Sequence, residues 1–351
     1  MTPEPDKTNA VSTYAEAGVD INAASETVLR MKEHIRSTFT PNVLADVGSF
    51  GGMYALDRNG VREPVLVSSI DGVGTKLKIA FLMNRHDTVG RDLVWHCAND
   101  ILVQGARPLF FLDYFATAKL DPRIAAEVVK GMADGCRAVG CALLGGETAE
   151  MPSMYAEGEY DLAGCIVGLV DRGRIIDGRR VTPGDALIGL ASDGLHTNGY
   201  SLARHALLEK AGLNVDRYIP ELGKTLGEEL LAPHRCYAPA LLPLLNEFDI
   251  HALAHITGGG FYDNIPRSLP ADCQALVDRR SWEPAPIFRL IQEAGNIADN
   301  EMFRTFNMGI GMVLVVGSEV AMQIVQRLNA AGEDAALIGQ IARGNNEVQV
   351  V

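Results

Sequence analysis

The stretch PVLVSSIDGVGTK, residues 64–76, decides how the first half of the chain folds. Its opening apolar run has the length of a strand and breaks at Asp71. The glycines that follow let backbone amides approach an anion closely, and Thr75 and Lys76 add a hydroxyl donor and a positive charge. Order and spacing differ from those of the P-loop and of the G-x-G-x-x-G turn. An anion-binding loop and a plain glycine turn between strand and helix both stay open.

Around this stretch, strands and helices alternate along the first half. We predict helices over residues 22–39, 87–104 and 121–140, and strands over residues 64–70, 108–116, 141–144 and 162–170. Such alternation is typical of a layered α/β or α+β domain. Residues 171–184 then concentrate Arg, Pro and Gly, and we place a domain boundary there.

The second half repeats the same order of elements. We predict strands over residues 186–191, 250–256, 275–278, 310–316 and 335–341, and helices over 199–210 and 320–331. The predicted fold class is therefore α/β (α+β) in two domains. A loose tail would span residues 1–20, an N-terminal domain 21–172 and a C-terminal α/β domain 173–351.

Bulk composition excludes several classes of protein. The 351 residues carry a net charge of −13, which disfavours nucleic acid as a partner. No run approaches the ~20 apolar residues of a membrane helix, and the polar first ten residues contain no signal-peptide core. None of the six cysteines forms a C-x-x-C pair, which is typical of buried thiols in a reducing compartment. We expect a cytoplasmic protein without a membrane partner.

Three acidic residues stand at or beside the ends of apolar elements. Asp71 ends a strand, Asp100 borders the apolar stripe of a helix, and Glu147 follows a short strand and a glycine pair. A carboxylate in such a place is costly unless it is paired or bound to a metal, and Mg²⁺ prefers oxygen ligands. We expect the three to converge on a metal ion. Asp92 and His96 precede Asp100 at helical spacing, and a solvated helix face accounts for them.

Further candidates each have an ordinary alternative. Lys32 lies on the apolar face of the first helix, either as a cation for a site or as a side chain that extends to water. His196, in the loop SDGLHTNGYS at 192–201, is suited to proton transfer or phosphate binding, or is a surface histidine. The glycine run at 257–260 is either an anion cradle or a tight turn.

Taken together, these loops resemble the phosphoribosylformylglycinamidine cyclo-ligase family from about residue 14 to the end of the chain. The motifs that carry the resemblance are YAEAGVDI (14–21), VSSIDGVGTKL (67–77), NDILVQGARPLFFLDY (99–114), GGETAEMP (145–152), DGLHTNGYSL (193–202), AHITGGGFYDNIPR (254–267) and MFRTFNMGIGM (302–312). Single loops also resemble relatives such as selenophosphate synthetase and thiamine-monophosphate kinase, but their combination is specific to the cyclo-ligases.

The resemblance implies a two-domain synthetase fold whose N-terminal mixed-sheet domain forms a barrel with that of a second subunit in a homodimer. It implies ATP-dependent cyclisation of formylglycinamidine ribonucleotide to aminoimidazole ribonucleotide, with Mg²⁺ as cofactor. It implies catalytic roles for Lys32, His196 and Asp100, and metal binding by Asp71, Asp100 and Glu147. The remaining roles are ATP binding by Asp71, Gly72, Val73, Gly74, Thr75 and Lys76, and binding of the substrate phosphate by Thr257, Gly258, Gly259 and Gly260.

Two other functions compete with this one. A relative with the same ATP site, a kinase or a dehydratase, would share the loops; selenophosphate synthetase would be expected to carry a reactive Cys where Gly48–Gly52 has none. A regulator that binds nucleotide without catalysis would be expected to have lost some of the carboxylates or lysines, and all are present. Formation of the imidazole product distinguishes the cyclo-ligase from both.

Overall fold

The computed structural model describes Tyr14 and residues 18–58 and 60–351. The predicted tail over residues 1–20 therefore lies mostly outside the described residues. Helix α1, Ile21–Arg36, begins where the Asp20 carboxylate accepts from the Asn22 and Ala23 amides, which are free donors at a helix start. The Asp20 amide itself donates to Glu150 Oε2 at 2.7 Å, which ties the start of α1 to the first sheet.

The first sheet has four strands in the order β1-β4-β2-β3. Their bounds are Pro64–Gly72 for β1, Arg107–Thr117 for β2, Ala142–Glu150 for β3 and Tyr160–Asp171 for β4. Strands β2 and β3 are parallel and the other neighbours are antiparallel, so the predicted mixed sheet is confirmed. Strand β3 runs six residues beyond its predicted end because the chain after Gly145 stays paired with β2.

Among the described residues, helices cover one face of this sheet. Besides α1 they are α2, Leu77–Met83, α3, Val89–Leu102, and α4, Pro122–Val139; α3 packs on β1 and β4, while α4 packs on β2, β3 and α1. Helices α3 and α4 touch backbone to backbone: a Cβ on Gly90 would lie 2.2 Å from the Val128 carbonyl oxygen. As far as the structure describes the chain, the opposite face is open and apolar, with Leu66 and Ile70 exposed by 61% and 72%.

The second sheet contains six strands in the order β12-β9-β11-β5-β10-β8. Their bounds are Ala186–Ala191 for β5, Ile250–His255 for β8, Cys273–Val277 for β9, Ile310–Val316 for β10, Ala335–Arg343 for β11 and Val348–Val350 for β12; Tyr218–Ile219 (β6) and Lys224–Thr225 (β7) form a separate hairpin. Every residue of β10 is buried, as expected for a strand covered on both faces. The two sheets thus divide the chain between Asp171 and Ala186.

Helices of the second half surround this sheet. They are Tyr200–Arg204 (α5, continued as a π-helical turn over His205–Lys210), Leu226–Leu230 (α6), Ala238–Glu247 (α7), Gly260–Asn264 (α8), Pro286–Gly295 (α9), Asp299–Thr305 (α10) and Ala321–Ala330 (α11). Helices α6, α7, α8, α9 and α10, and α2 in the first half, were not among the predicted elements. The predicted mixed α/β fold class is confirmed. No helix within the described part of the chain is long and apolar enough to cross a membrane.

Candidate active site between the two sheets

The end of β1 and the second half of α3 bring two predicted metal ligands together. Asp71 and Asp100 both approach His96, whose Nε2 lies 2.8 Å from Asp71 Oδ2 and 3.8 Å from Asp100 Oδ2. The Ser69 hydroxyl donates to Asp100 Oδ2 at 3.0 Å. Because residues of odd number in β1 point toward α3, Ser69 and Asp71 share the inner face of the sheet. The two carboxylates form the N-terminal wall of a cleft.

The second domain supplies the opposite wall. His255, the last residue of β8, places Nδ1 2.8 Å from Asp100 Oδ1, so one carboxylate contacts both domains. The rings of His96 and His255 lie 5.3 Å apart, and His196 stacks on His234 at 3.8 Å. All four histidines are at most 6% exposed. The result is a buried histidine cluster, His96, His196, His234 and His255, beneath two partly exposed carboxylates.

Charge is distributed unequally within this cluster. Burial disfavours the charged form of His96, but its hydrogen bond to Asp71 and the nearby Asp100 prevail and raise the pKa of His96. Burial likewise opposes ionisation of Asp71 and Asp100, yet the adjoining histidines lower the pKa of both carboxyl groups. Burial lowers the pKa of His196 and of His234 well below the usual range. Anionic carboxylates thus favour the charged form of His96, while His196 and His234 beneath them are neutral.

Lys76 does not extend into this cleft. Its ammonium is fully buried, lies 2.9 Å from Asp92 Oδ1, and donates to the carbonyls of His196 at 3.0 Å and Ala232 at 2.6 Å. Burial lowers the pKa of Lys76 and raises the pKa of Asp92, while their mutual attraction opposes both shifts. We expected Lys76 beside a phosphate; in this structure it instead joins the loop after β1 to two loops of the second domain.

The expectation of a solvated face for Asp92 and His96 is wrong. Asp92 is 0% exposed and His96 is 3% exposed. Asp92 Oδ1 accepts from the His234 amide at 2.6 Å, and His96 Nδ1 lies 2.7 Å from the Thr197 hydroxyl. These covering loops come from more than a hundred residues further along the chain, so the periodicity of α3 carried no sign of them.

The loop after β1 keeps its glycine turn exposed. The Gly72 amide donates to Asp71 Oδ1 at 2.7 Å, and Gly74 takes a φ of 67°, which favours glycine. Gly74 and Thr75 are exposed while Val73 is buried and anchors the turn. The Thr75 hydroxyl lies 3.1 Å from that of Ser201, at the start of α5. The loop therefore presents backbone groups and a hydroxyl next to Asp71.

His196 is held tightly by backbone groups. Its φ is 61°, unusual for a residue with a side chain. Its Nε2 accepts from the Asp193 amide at 3.2 Å and the Arg235 amide at 3.4 Å, which leaves the hydrogen on Nδ1. That nitrogen has no hydrogen-bond partner among the residues the structure describes. Such a buried donor is costly unless another group accepts from it.

The glycine run at 257–260 begins two residues after His255 and borders the same cleft. Asn264 Nδ2 donates to the carbonyls of Thr257, Gly258 and Gly260 and fixes the turn. Gly260 has a φ of 57°, and a Cβ there would lie 2.0 Å from the Phe303 carbonyl oxygen. The turn shape therefore depends on glycine.

Lys32 and Glu147 lie apart from this cleft within one chain. Cross-strand pairing links Glu147 through Tyr114 and Ala163 to Gly72, and paired residues face the same side of a sheet. Glu147 therefore faces the open side, whereas Asp71, the residue before Gly72, faces the helices. Three strand spacings, about 14 Å, separate β3 from β1. Lys32, on α1 near β3, lies 4.0 Å from Asp46. Within one chain the expected three-carboxylate cluster is thus reduced to Asp71 and Asp100.

Sequence reasoning missed His234 and His255 altogether. His255 ends a strand directly before the glycine run, a position that could have marked it. His234 lies in a loop without regular structure, in the sequence LAPHRCYAP, and no pattern in the sequence indicates its role. Both were found only because the fold brings the two domains together around Asp100.

Two family models match this chain. They are the AIR synthase related protein N-terminal domain, over residues 57–170, and the C-terminal domain of the same family, over residues 182–351. A phosphoribosylformylglycinamidine cyclo-ligase from Geotalea uraniireducens is 56% identical over 331 residues, which cover 94% of this chain and 95% of that protein. The chain belongs to the phosphoribosylformylglycinamidine cyclo-ligase family. The cyclo-ligase of Brevibacillus brevis is 53% identical over 335 residues, 95% of this chain and 97% of that one.

Solved structures of other activities share this cyclo-ligase fold. The thiamine-monophosphate kinase of Stenotrophomonas maltophilia aligns with a TM-score of 0.67 at 18% identity and covers 92% of this chain and 95% of its own. Escherichia coli HypE, a hydrogenase maturation protein, aligns with a TM-score of 0.65 at 19% identity, covering 93% of each chain. A HypE structure with a TM-score of 0.63 was solved in complex with ATP, at 20% identity over 90% of this chain and 88% of that one. At these identities the likeness concerns the fold.

As a member of the cyclo-ligase family, the chain is an enzyme of the ligase class. Cyclo-ligases use ATP to close a ring in purine biosynthesis, converting formylglycinamidine ribonucleotide to aminoimidazole ribonucleotide. This confirms the activity and the use of ATP expected from the sequence. The cyclo-ligases at 56% and 53% identity favour this activity over the competing interpretations, a kinase or dehydratase relative and a non-catalytic regulator.

Proposed function

We propose that ring closure takes place in the cleft between the two sheets, over Asp71, Asp100 and the buried histidine cluster. The observation that carries this proposal is the contact of Asp100 with His96 from its own domain and His255 from the other. A substrate bound there would be held by both domains at once. Orientation of this kind contributes much to an intramolecular reaction, with effective molarities up to about 10⁵–10⁸ M for well-placed groups.

Mg²⁺ fits the rim of this cleft. Asp71 and Asp100 are ionised, partly exposed and close together, and their oxygens are the ligands that Mg²⁺ prefers. We propose that they hold the metal ion on the ATP phosphates, where it neutralises negative charge. The exposed Gly74 and Thr75 provide amides and a hydroxyl for the same phosphates. Lys76 supports this loop from behind, through its buried contacts with Asp92 and the second domain.

The reaction requires the formamide oxygen to become a leaving group. Transfer of the γ-phosphoryl group to that oxygen gives an imidoyl phosphate, which the neighbouring amidine nitrogen attacks to close the five-membered ring as phosphate leaves. Phosphoryl transfer depends mainly on positioning and on charge neutralisation. The Nδ1–H of His196, which has no hydrogen-bond partner within the described part of the chain, is proposed to donate to the reacting oxygen. The Thr257–Gly260 turn is proposed to bind the ribonucleotide phosphate.

A homodimer would complete the site. The open face of the first sheet exposes Leu66 and Ile70, and an apolar face of this kind requires a cover. We propose that the equivalent face of a second copy covers it to form the expected barrel. Lys32 and Glu147, at the β3 edge, would then act in a site shared between subunits. The six free cysteines favour a reducing compartment, so we place the enzyme in the cytoplasm.

Incubation of the enzyme with formylglycinamidine ribonucleotide and MgATP tests this function. We expect one aminoimidazole ribonucleotide and one phosphate for each ATP consumed, and no phosphate release without the amidine. Phosphate release that is uncoupled from imidazole formation, or a phosphorylated product that is not cyclised, would refute it.

A further inference from the structure

The side chain of Arg235 joins three segments of the second domain. Its Nε lies 3.0 Å from Glu333 Oε2, and its Nη1 lies 3.5 Å from Asp193 Oδ1. Nη1 also donates to the Ala191 carbonyl at 3.5 Å, and Nη2 donates to the Gly332 carbonyl at 3.3 Å. The planar guanidinium has five donors and can serve several acceptors at once. It therefore connects the end of β5, the loop before α7, and the turn between α11 and β11.

Little water competes for the contact between Arg235 and Glu333. The two side chains are 20% and 11% exposed, whereas that of Asp193 is more than half exposed. Burial raises the pKa of Glu333, and the positive charge of Arg235 opposes that rise. In such a partly buried place each charge needs the other, because an unpaired charge loses its hydration without compensation. The position of the guanidinium is therefore closely defined.

His196 depends on two of the same segments. Its Nε2 accepts from the Asp193 amide at 3.2 Å and from the Arg235 amide at 3.4 Å. These amides belong to the two residues whose side chains approach to 3.5 Å, so that contact keeps both donors at the imidazole. The φ of 61° at His196 is costly for a residue with a side chain and persists only where its surroundings hold it. Loss of the contact would allow the imidazole to take other orientations.

We propose that Arg235 is a positioning residue for ring closure, which orients His196 by holding the Asp193 and Arg235 amides on its Nε2. The Nδ1–H of His196 then has a fixed place beside the reacting oxygen. This inference rests on the proposed function, since it requires that His196 donates to that oxygen. Arg235 acts only through His196, so its removal should lower kcat and leave KM nearly unchanged.

A purely structural role of Arg235 has different consequences. A guanidinium that only joins loops affects the free energy of unfolding and, through it, the fraction of folded enzyme. A positioning residue also lowers the turnover of the folded enzyme, and does so only while His196 is present. A double-mutant cycle between Arg235 and His196 therefore separates the two roles.

The cycle consists of Arg235→Met, His196→Ala and the double variant, assayed for aminoimidazole ribonucleotide formation with MgATP and corrected for the folded fraction by urea unfolding. We expect Arg235→Met to lower kcat by about 10- to 100-fold, because a displacement of about 1 Å has effects of this size. KM for both substrates should stay within about 2-fold of wild type. His196→Ala should lower kcat by about 10²-fold or more, and Arg235→Met should add nothing to that loss.

Two further variants complete the experiment. Arg327→Met removes an exposed arginine paired with Glu247 in the same domain and is the matched control, with normal turnover. Arg235→Lys keeps the charge without the planar fork and should lower kcat less than Arg235→Met does. It takes the place of Arg235→Met in the cycle if that variant does not fold.

Normal kcat of a folded Arg235→Met enzyme would overturn the proposal. So would a raised KM at unchanged kcat, or a decrease in kcat that multiplies with the decrease in His196→Ala. A His196→Ala enzyme of normal turnover rejects the proposed role of His196 and with it this inference. An impaired His196→Ala enzyme in which the effect of Arg235→Met persists rejects only the positioning role.

Discussion

At the scale of single residues, the site is determined by buried polar groups, each of which has few possible hydrogen-bond partners. Asp71 and Asp100 could be selected from the sequence because each ends or borders an apolar element. Lys76 and Asp92 could not be assigned correctly, because their partners are carbonyls and amides of distant loops. A sequence shows which side chains carry charge, but it does not show which of them the second domain will cover.

The buried Lys76–Asp92 pair gives a first prediction. Lys76→Met leaves Asp92 as an uncompensated buried carboxylate and should lower the free energy of unfolding by about 3–5 kcal/mol. Lys76→Met combined with Asp92→Leu should recover part of that loss, because no buried charge is left. Urea unfolding of the three proteins measures this. A Lys76→Met variant of normal stability with a greatly raised KM for ATP would instead support contact with phosphate.

Asp113, on the inner face of β2, gives a prediction about pH. Burial, with a smaller contribution from Glu147, raises the pKa of Asp113 to about 7. The folded protein therefore binds a proton there between about pH 4 and 7 that the unfolded chain releases, so this contribution to stability declines as pH rises through that window. The free energy of unfolding of Asp113→Asn, relative to that of wild type, should therefore rise by about 1–2 kcal/mol from pH 5 to pH 8. This figure allows for the partial exposure of the side chain. An equal difference at both pH values, in urea unfolding, would contradict this assignment.

At the scale of elements, the strands and long helices around the site were predictable from their apolar period and their end signals. Asp20 and Asp121 both cap helices, and β1, β5 and β10 lie close to their predicted bounds. The extension of β3 was not predictable, because a glycine pair usually ends a strand and only pairing with β2 keeps it extended. Helices α9 and α10 were also not predicted from the sequence.

The contact between α3 and α4 provides a prediction at this scale. Gly90→Ala places a methyl group against the backbone of Val128 and Met132, which cannot move without separating the helices. We expect a loss of at least about 2 kcal/mol in the free energy of unfolding. Gly51→Ala, where a Cβ meets no atom within 4 Å, is the control and should change stability little. Equal stability of the two variants would show that the helices do not pack this closely.

At the scale of the whole molecule, a single chain leaves the apolar open face of the first sheet uncovered. Ile70→Asp introduces a charge into the proposed subunit interface and should convert the dimer to monomers in sedimentation velocity. Met322→Asp, at an exposed apolar position of α11, is the control and should remain dimeric. A dimer that persists in Ile70→Asp would mean that another surface joins the subunits.

A shared site also predicts complementation between subunits. Asp71→Asn and Glu147→Gln should each be poorly active alone, whereas a mixture that exchanges subunits should recover up to about one intact site per mixed dimer. Activity of exchanged and unexchanged mixtures, compared at equal protein concentration, measures this. No recovery would place Glu147 in the same subunit's site or outside the reaction.

The composition of residues 171–184 suggested the division into two domains. The contact of both domains with Asp100, however, depends on tertiary packing that no local pattern encodes.

The central claim is that ring closure takes place where both domains contact Asp100. The rate of aminoimidazole ribonucleotide formation by Asp100→Asn, with Asp216→Asn as an exposed control, tests it most directly. We predict a decrease in kcat of about 10²-fold or more for Asp100→Asn in a protein that remains folded, and a fully active control. Near-normal turnover of a folded Asp100→Asn enzyme would contradict the account.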